Sequence, residues 1–187
     1  MNAALWLNRA ADRRRGLAVA MLSVGSFSVA QVLNILLNIE IPQVDESVAW
    51  AADAGLVIGA AVALLGGFVA WLYLSFGIFI IIRIGATDLS AAQVTRRTGI
   101  AFVFPLAGLV ASVLVGALGA PSLVSNGPYL ASGVCGLAVL ARALSRATEG
   151  RSVLSAIAVA TPIVVALAAL TALALVGQSF APVETGS

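Results

Sequence analysis

The ten basic residues of this chain are all arginines, and they fall into three short clusters: Arg9/Arg13/Arg14/Arg15, Arg83/Arg96/Arg97 and Arg142/Arg146/Arg151. Long apolar runs separate the clusters. The connectors at the far ends of those runs carry acids or no charge. A chain that crosses a bilayer repeatedly keeps its arginine-rich loops on the cytoplasmic side. The alternation therefore predicts an all-α, polytopic membrane helix bundle with its N-terminus cytoplasmic and its C-terminus exterior.

Composition supports the same class. Hydrophobic residues make up 61% of the 187 and charged residues 10%, where a soluble domain carries about 25% charged residues. A soluble fold would lack the polar side chains to cover its surface. The excess positive charge faces one membrane surface, so it does not point to nucleic acid as a partner. The lone Cys135 cannot form an internal disulfide or a cysteine metal cluster, and it reads as a small buried packing residue. Arginine without lysine, amid abundant Ala, Gly and Val, suggests a GC-rich prokaryotic genome.

A helix needs about 20 apolar residues to cross the hydrocarbon. Five stretches meet that need: 16–38, 55–82, 99–118, 128–147 and 153–176. Together they define one membrane domain over 16–178, preceded by a cytoplasmic segment 1–15 and followed by an exterior tail 179–187. The N-terminal segment is too short for a domain. Its Leu5 and Trp6, followed by Arg9 and Arg13, fit a short amphipathic turn at the interface. Arg13–Arg15 with Ser28-Val29-Ala30 has the outline of a signal peptide, but the apolar run continues through Val32 to Leu37, which argues against cleavage.

Local signals place the helix ends. Ser90-Ala91-Ala92-Gln93 fits a capping box, so the third helix starts at Ala91, before it enters lipid. Asn126-Gly127-Pro128 reads as a helix start with proline at its first position. Glu149 is expected to continue the fourth helix, Gly150 is a natural C-cap, and Ser152 caps the fifth span. Gly66-Gly67 lies inside the long second stretch, which is either one tilted helix or two half-spans. Breaking it would put Arg83, Arg96 and Arg97 on the same side as Glu40, Asp45 and Glu46, against the charge bias. With five spans, Glu40, Asp45, Glu46, Asp53 and Glu184 fall outside and all ten arginines inside.

Catalytic patterns are missing. Without histidine there is no His-based triad or His metal site, and no GxSxG, P-loop or HExxH pattern occurs. The reading is non-enzymatic, with no catalytic, metal or cofactor-binding residues and no cofactor. Three features remain. Gln31, Asn34 and Asn38 share one face of the first span, either as interhelical glue or as a polar path. Pro105 and Pro162 lie inside spans three and five and should kink them. Arg83, Arg96, Arg97, Arg142, Arg146 and Arg151 converge on the inner face, either as topology signals or as a docking site for anionic lipid or an acidic partner. The Arg96/Arg97 pair stands near a helix start, where positive charge opposes the dipole, so a compensating group is expected. Small-residue ridges run Gly55/Gly59/Ala63/Gly67 and Gly108/Ser112/Gly116/Ala120. They favour packing within the chain over a homo-oligomer contact.

The stretch from Leu56 to Val176 resembles the Yip family in its prokaryotic form. The residues that carry the resemblance are Gly66-Gly67-Phe68-Val69-Ala70-Trp71, Ile82-Arg83-Ile84-Gly85-Ala86, Arg96-Arg97-Thr98-Gly99-Ile100 leading to Pro105, and Ala141-Arg142-Ala143-Leu144 with Ser152-Val153-Leu154-Ser155-Ala156. Ile100 stands where the family has tyrosine. The acidic motif and the long cytosolic N-terminal region of eukaryotic members are missing, so Rab binding is not implied. The resemblance implies a five-helix scaffold without catalysis in the cytoplasmic (inner) membrane. Its partners would be membrane lipids, anionic ones among them, and either a membrane-protein partner or further copies of the chain in a homo-oligomer. The alternative is a small transporter, channel or accessory subunit using the Gln31/Asn34/Asn38 face.

Overall fold

The computed structural model describes residues 2–38, 49–85 and 88–179. They form eight helices, with no strand among the described residues: α1 (Ala3–Asp12), α2 (Gly16–Asn38), α3 (Ala49–Ile84), α4 (Ala91–Ala101), α5 (Val103–Ala117), α6 (Ser122–Ser125), α7 (Gly127–Ala147) and α8 (Ser152–Ser179). Five helical spans are long and apolar enough to cross a bilayer: Gly16–Asn34, Ala54–Ile84, Ala91–Ala117, Gly127–Ala147 and Ser152–Ala174. The protein is an all-α, multi-pass membrane bundle. The connector 39–48, with Glu40, Asp45 and Glu46, and the tail from residue 180 lie outside the described residues.

The second span is one helix. α3 passes through Gly66 and Gly67 without interruption. Its 36 residues reach about 54 Å at 1.5 Å per residue, well beyond a hydrocarbon layer of about 30 Å. α3 must therefore tilt or project from the bilayer.

The third span, by contrast, is divided. The capping box sets its start: Ser90 Oγ accepts the Gln93 N–H at 3.3 Å, and the Ser90 N–H donates to Gln93 Oε1 at 3.0 Å. α4 ends at Ala101 and α5 begins at Val103. Pro105 has no N–H to give the carbonyl four residues back, which belongs to Ala101. At the joint the Phe102 N–H turns to the Gly99 carbonyl at 3.2 Å, and the Leu106 N–H resumes with Phe102 at 3.1 Å. Pro162 lies inside α8, which continues past it.

α7 and α8 meet through a tight reversal. Glu149 and Gly150 both take positive φ, 55° and 87°. Glu149 thus does not extend the helix, contrary to the sequence reading. α7 ends at Ala147 because the Gly150 N–H reaches back to the Ser145 carbonyl at 2.8 Å, a bond that closes helix ends.

Packing follows small residues. α2 lies against α3, α4 and α5; α5 runs along α7; α8 packs on α3 and α7; α1 tucks beneath α4 and α7. On α5, a Cβ added to Gly108 would stand 1.7 Å from Ser132 Oγ and 2.6 Å from the Pro128 carbonyl oxygen. Ser112 on the same ridge accepts the Tyr129 N–H at 3.0 Å. That ridge packs within the chain. Of the three glycines in the α3 ridge, only Gly67 does so, against Ser28, while Gly55 and Gly59 meet nothing within 4 Å.

Candidate functional site

The bundle ends that carry arginine come together through α1. Leu7 is fully buried, and Ala4 and Ala11, three and four positions away, are nearly so. This stripe turns inward, because residues at such spacing share a helix face. α1 is therefore a cap on the bundle, more buried than an interfacial turn would be. Leu5 stays 44% exposed.

Arg97 sits at the centre of this cap, only 4% exposed. Its Nε donates to Asn8 Oδ1 at 2.7 Å, its Nη1 to the Gln93 carbonyl at 3.1 Å, and its Nη2 to Asp12 Oδ1 at 2.9 Å. Asn8 in turn donates from Nδ2 to the Ala143 carbonyl at 3.0 Å. One guanidinium thereby ties α1 to α4, and Asn8 extends the tie to α7. A guanidinium carries five donors in a planar fork, which suits a three-way junction of this kind. Burying the charge is tolerable because an acid and polar oxygens surround it.

This geometry corrects the place of Arg97 among the docking arginines. Its charge is spent inside the protein, and Asp12 is the compensating group expected near the start of α4. The other five candidates differ. Arg83, Arg142, Arg146 and Arg151 are exposed, and Arg96 is half-buried. Arg151 donates through Nη1 to the Gly85 carbonyl, joining the start of α8 to the end of α3. The Nε of Arg96 is buried without a hydrogen-bond partner among the described residues. Beside Arg151 a cleft of about 250 Å³ opens, bordered by Asp88, Gln93, Thr148 and Glu149.

The sequence reading missed Asn8 and Asp12. A signal existed: they stand four apart, so they share one face of a helix, and Asp12 is the lone acid in the first arginine cluster.

The amide face of α2 leads to a second cluster. Gln31 Nε2 donates to Tyr129 Oη at 3.2 Å, joining α2 to α7. The Tyr129 ring stacks on Phe27 with centroids 6.4 Å apart, and Phe27 meets Phe102 edge-on at 5.3 Å. Asn34 is half-buried nearby in sequence, and the side chain of Asn38 lies outside the described residues. The helix break at Phe102 also borders an apolar crevice of about 230 Å³, walled by Leu74, Pro105, Gly136, Leu137 and Ile163. Gln31 and Asn34 are not part of its wall. Pro162 faces the opposite neighbour: Tyr73 Oη donates to its carbonyl at 2.9 Å, and a Cβ on Gly77 would come within 2.7 Å of its ring.

The chain matches no protein-family model, no curated protein and no solved structure at a significant level.

Proposed function

We propose that the chain is a non-enzymatic, Yip-like scaffold of a prokaryotic cytoplasmic membrane, with its arginine end in the cytoplasm, that organises membrane lipids or a partner membrane protein. The observation that supports this reading is the junction at Arg97. It uses a buried charge to fasten α1 across α4 and α7. A fixed cap of this kind supports a rigid surface for the exposed Arg9 of α1, Arg142 and Arg146 of α7, and Arg151 just before α8. Gln31 supports it as well, since its amide is bonded across helices to Tyr129. Such a bond is what interhelical glue looks like.

Transport is the second reading, and the divided third span speaks for it. Broken helices at midplane sites are common in transporters, and the break at Phe102 borders a crevice. The crevice is nearly all apolar, however, which suits acyl chains better than ions or polar solutes.

The test is reconstitution. Purified protein in proteoliposomes should pass ions and small polar solutes no faster than protein-free vesicles. Protein extracted from its native membrane in nanodiscs should keep a defined set of lipids or a stoichiometric partner. Solute flux that disappears in Gln31→Leu would replace the scaffold reading with transport.

A further inference from the structure

The structure assigns the turn between α1 and α2 as a binding site for an anionic phospholipid that carries two phosphate groups. The inference rests on the scaffold reading only in placing this turn at a lipid interface. It begins with Asp12. In the sequence this acid offsets part of the charge of Arg9, Arg13, Arg14 and Arg15. In the fold its carboxylate turns to Arg97. Among the described residues, the side chains of the four arginines make no hydrogen bond or ion pair, so their charge is available.

The turn holds them in place. The Gly16 N–H donates to the Arg13 carbonyl at 2.8 Å. A Cβ at Gly16 would stand 2.3 Å from the Ala11 carbonyl oxygen, so only glycine allows the chain to reverse this tightly. Two hollows flank the reversal. One, of about 360 Å³, is lined by Ala10, Arg13, Arg14, Arg15 and Val19. The other, of about 260 Å³, is lined by Asn2, Leu5, Trp6, Arg9, Ala10 and Arg13. They share Ala10 and Arg13.

Each hollow joins guanidinium groups to an apolar edge, Val19 in one and Leu5 with Trp6 in the other. That pairing fits a phosphodiester with the start of an acyl chain, and it leaves a free phosphate without apolar contacts. Arginine is the side chain best shaped to hold phosphate oxygens in pairs. Two such hollows meeting at one arginine suit two phosphates joined by a short bridge. A lipid with one phosphate would fill one hollow and leave the other cationic.

Native mass spectrometry of the full-length protein in detergent tests this. Diphosphatidylglycerol and phosphatidylglycerol are offered at equal total phosphate, against a phosphatidylcholine background, with inorganic phosphate as a separate competitor. The two-phosphate lipid should be retained at least fivefold better per phosphate. Arg13→Gln should lower its retention by about fivefold or more, the scale of one arginine facing anionic headgroups. Arg9→Gln and Arg14→Gln should each weaken it less, and Arg142→Gln and Arg146→Gln, which lie outside both hollows, less again. Thermal unfolding run beside each variant separates lost binding from lost structure. Equal retention per phosphate, an equal loss in Arg142→Gln, or displacement by inorganic phosphate would each overturn the assignment. None of these outcomes depends on solute flux, so the site and the scaffold reading can fail separately.

Discussion

Asp12 and Arg97 stand 85 positions apart in sequence, and the carboxylate meets the guanidinium at 2.9 Å. The pair is unequal. The arginine is 4% exposed while the aspartate side chain is 56% exposed. Water therefore screens one partner, and the attraction is weaker than in a fully buried pair. What makes the contact matter is its position. It holds the first helix of the chain onto a helix that belongs to the third span.

Asp12→Asn should lower stability in detergent by about 1–2 kcal/mol, short of the roughly 3–5 kcal/mol lost when a fully buried pair is broken. Arg97→Gln should cost more, because Asn8, Asp12 and the Gln93 carbonyl all lose their donor. Thermal unfolding with proteolysis of residues 1–15 as a second readout checks both. An Asp12→Asn protein with unchanged melting and an uncut N-terminal segment would show that α1 is held without the ion pair.

Adjacent helices touch through glycine at some places and stand apart at others, so glycine substitutions should divide sharply. A Cβ on Gly99 would come within 2.6 Å of Ala20 Cβ and 2.8 Å of Trp71 Nε1. Trp71 is itself fixed by donating Nε1 to the Thr95 carbonyl at 2.9 Å, so the ring has little room to yield. Gly99→Ala should destabilise by about 1–3 kcal/mol, the usual range for overpacking. Gly66 meets nothing within 4 Å, so Gly66→Ala should cost nothing and gain some helix propensity. Equal melting temperatures for the two variants would contradict the packing described.

The glue role of Gln31 gives a third outcome. Tyr129→Phe keeps the ring that stacks on Phe27 and removes the hydroxyl that accepts from Gln31. It should cost about 1 kcal/mol or less, the size of one interhelical hydrogen bond in lipid. Gln31→Leu should cost a similar amount, and the double variant should show that the two losses do not add. Additive losses would mean that the two groups act separately.

The spans were legible in the sequence because each is a run of local apolar residues, and so was the start of α4, because Ser90 and Gln93 form their capping box within four residues. The division of the third span was half legible. Pro105 announces a fault, and the helix breaks at Phe102, three residues earlier, where the missing N–H leaves its gap. The cap was not legible. Asn8 and Asp12 acquire meaning only against Gln93, Arg97 and Ala143, which are far away in the chain. Nor could the fate of Arg97 be read, since an arginine beside a span looks the same whether it faces headgroups or the protein interior. The same blindness hid the free charge at Arg9 and Arg13–Arg15, whose one acidic neighbour is engaged elsewhere.

The side of the membrane that the arginine end faces is open to direct measurement. Asp88 and Glu149 lie at that end, beside the cleft they share with Arg151. Gly119, with φ of 82° after the end of α5, lies at the other end of the third span. Starting from Cys135→Ser, which removes a native thiol that is exposed and not buried as its apolar surroundings in sequence predicted, single Asp88→Cys, Glu149→Cys and Gly119→Cys proteins can be labelled in intact cells and in inverted vesicles. The excess of arginine at one end predicts that Asp88→Cys and Glu149→Cys react only from the cytoplasm and Gly119→Cys only from outside. Labelling of Asp88→Cys and Gly119→Cys from one side would mean that α4 and α5 do not cross together. Labelling of all three from the opposite sides would invert the molecule and move the proposed lipid site at Arg13 to the outer leaflet.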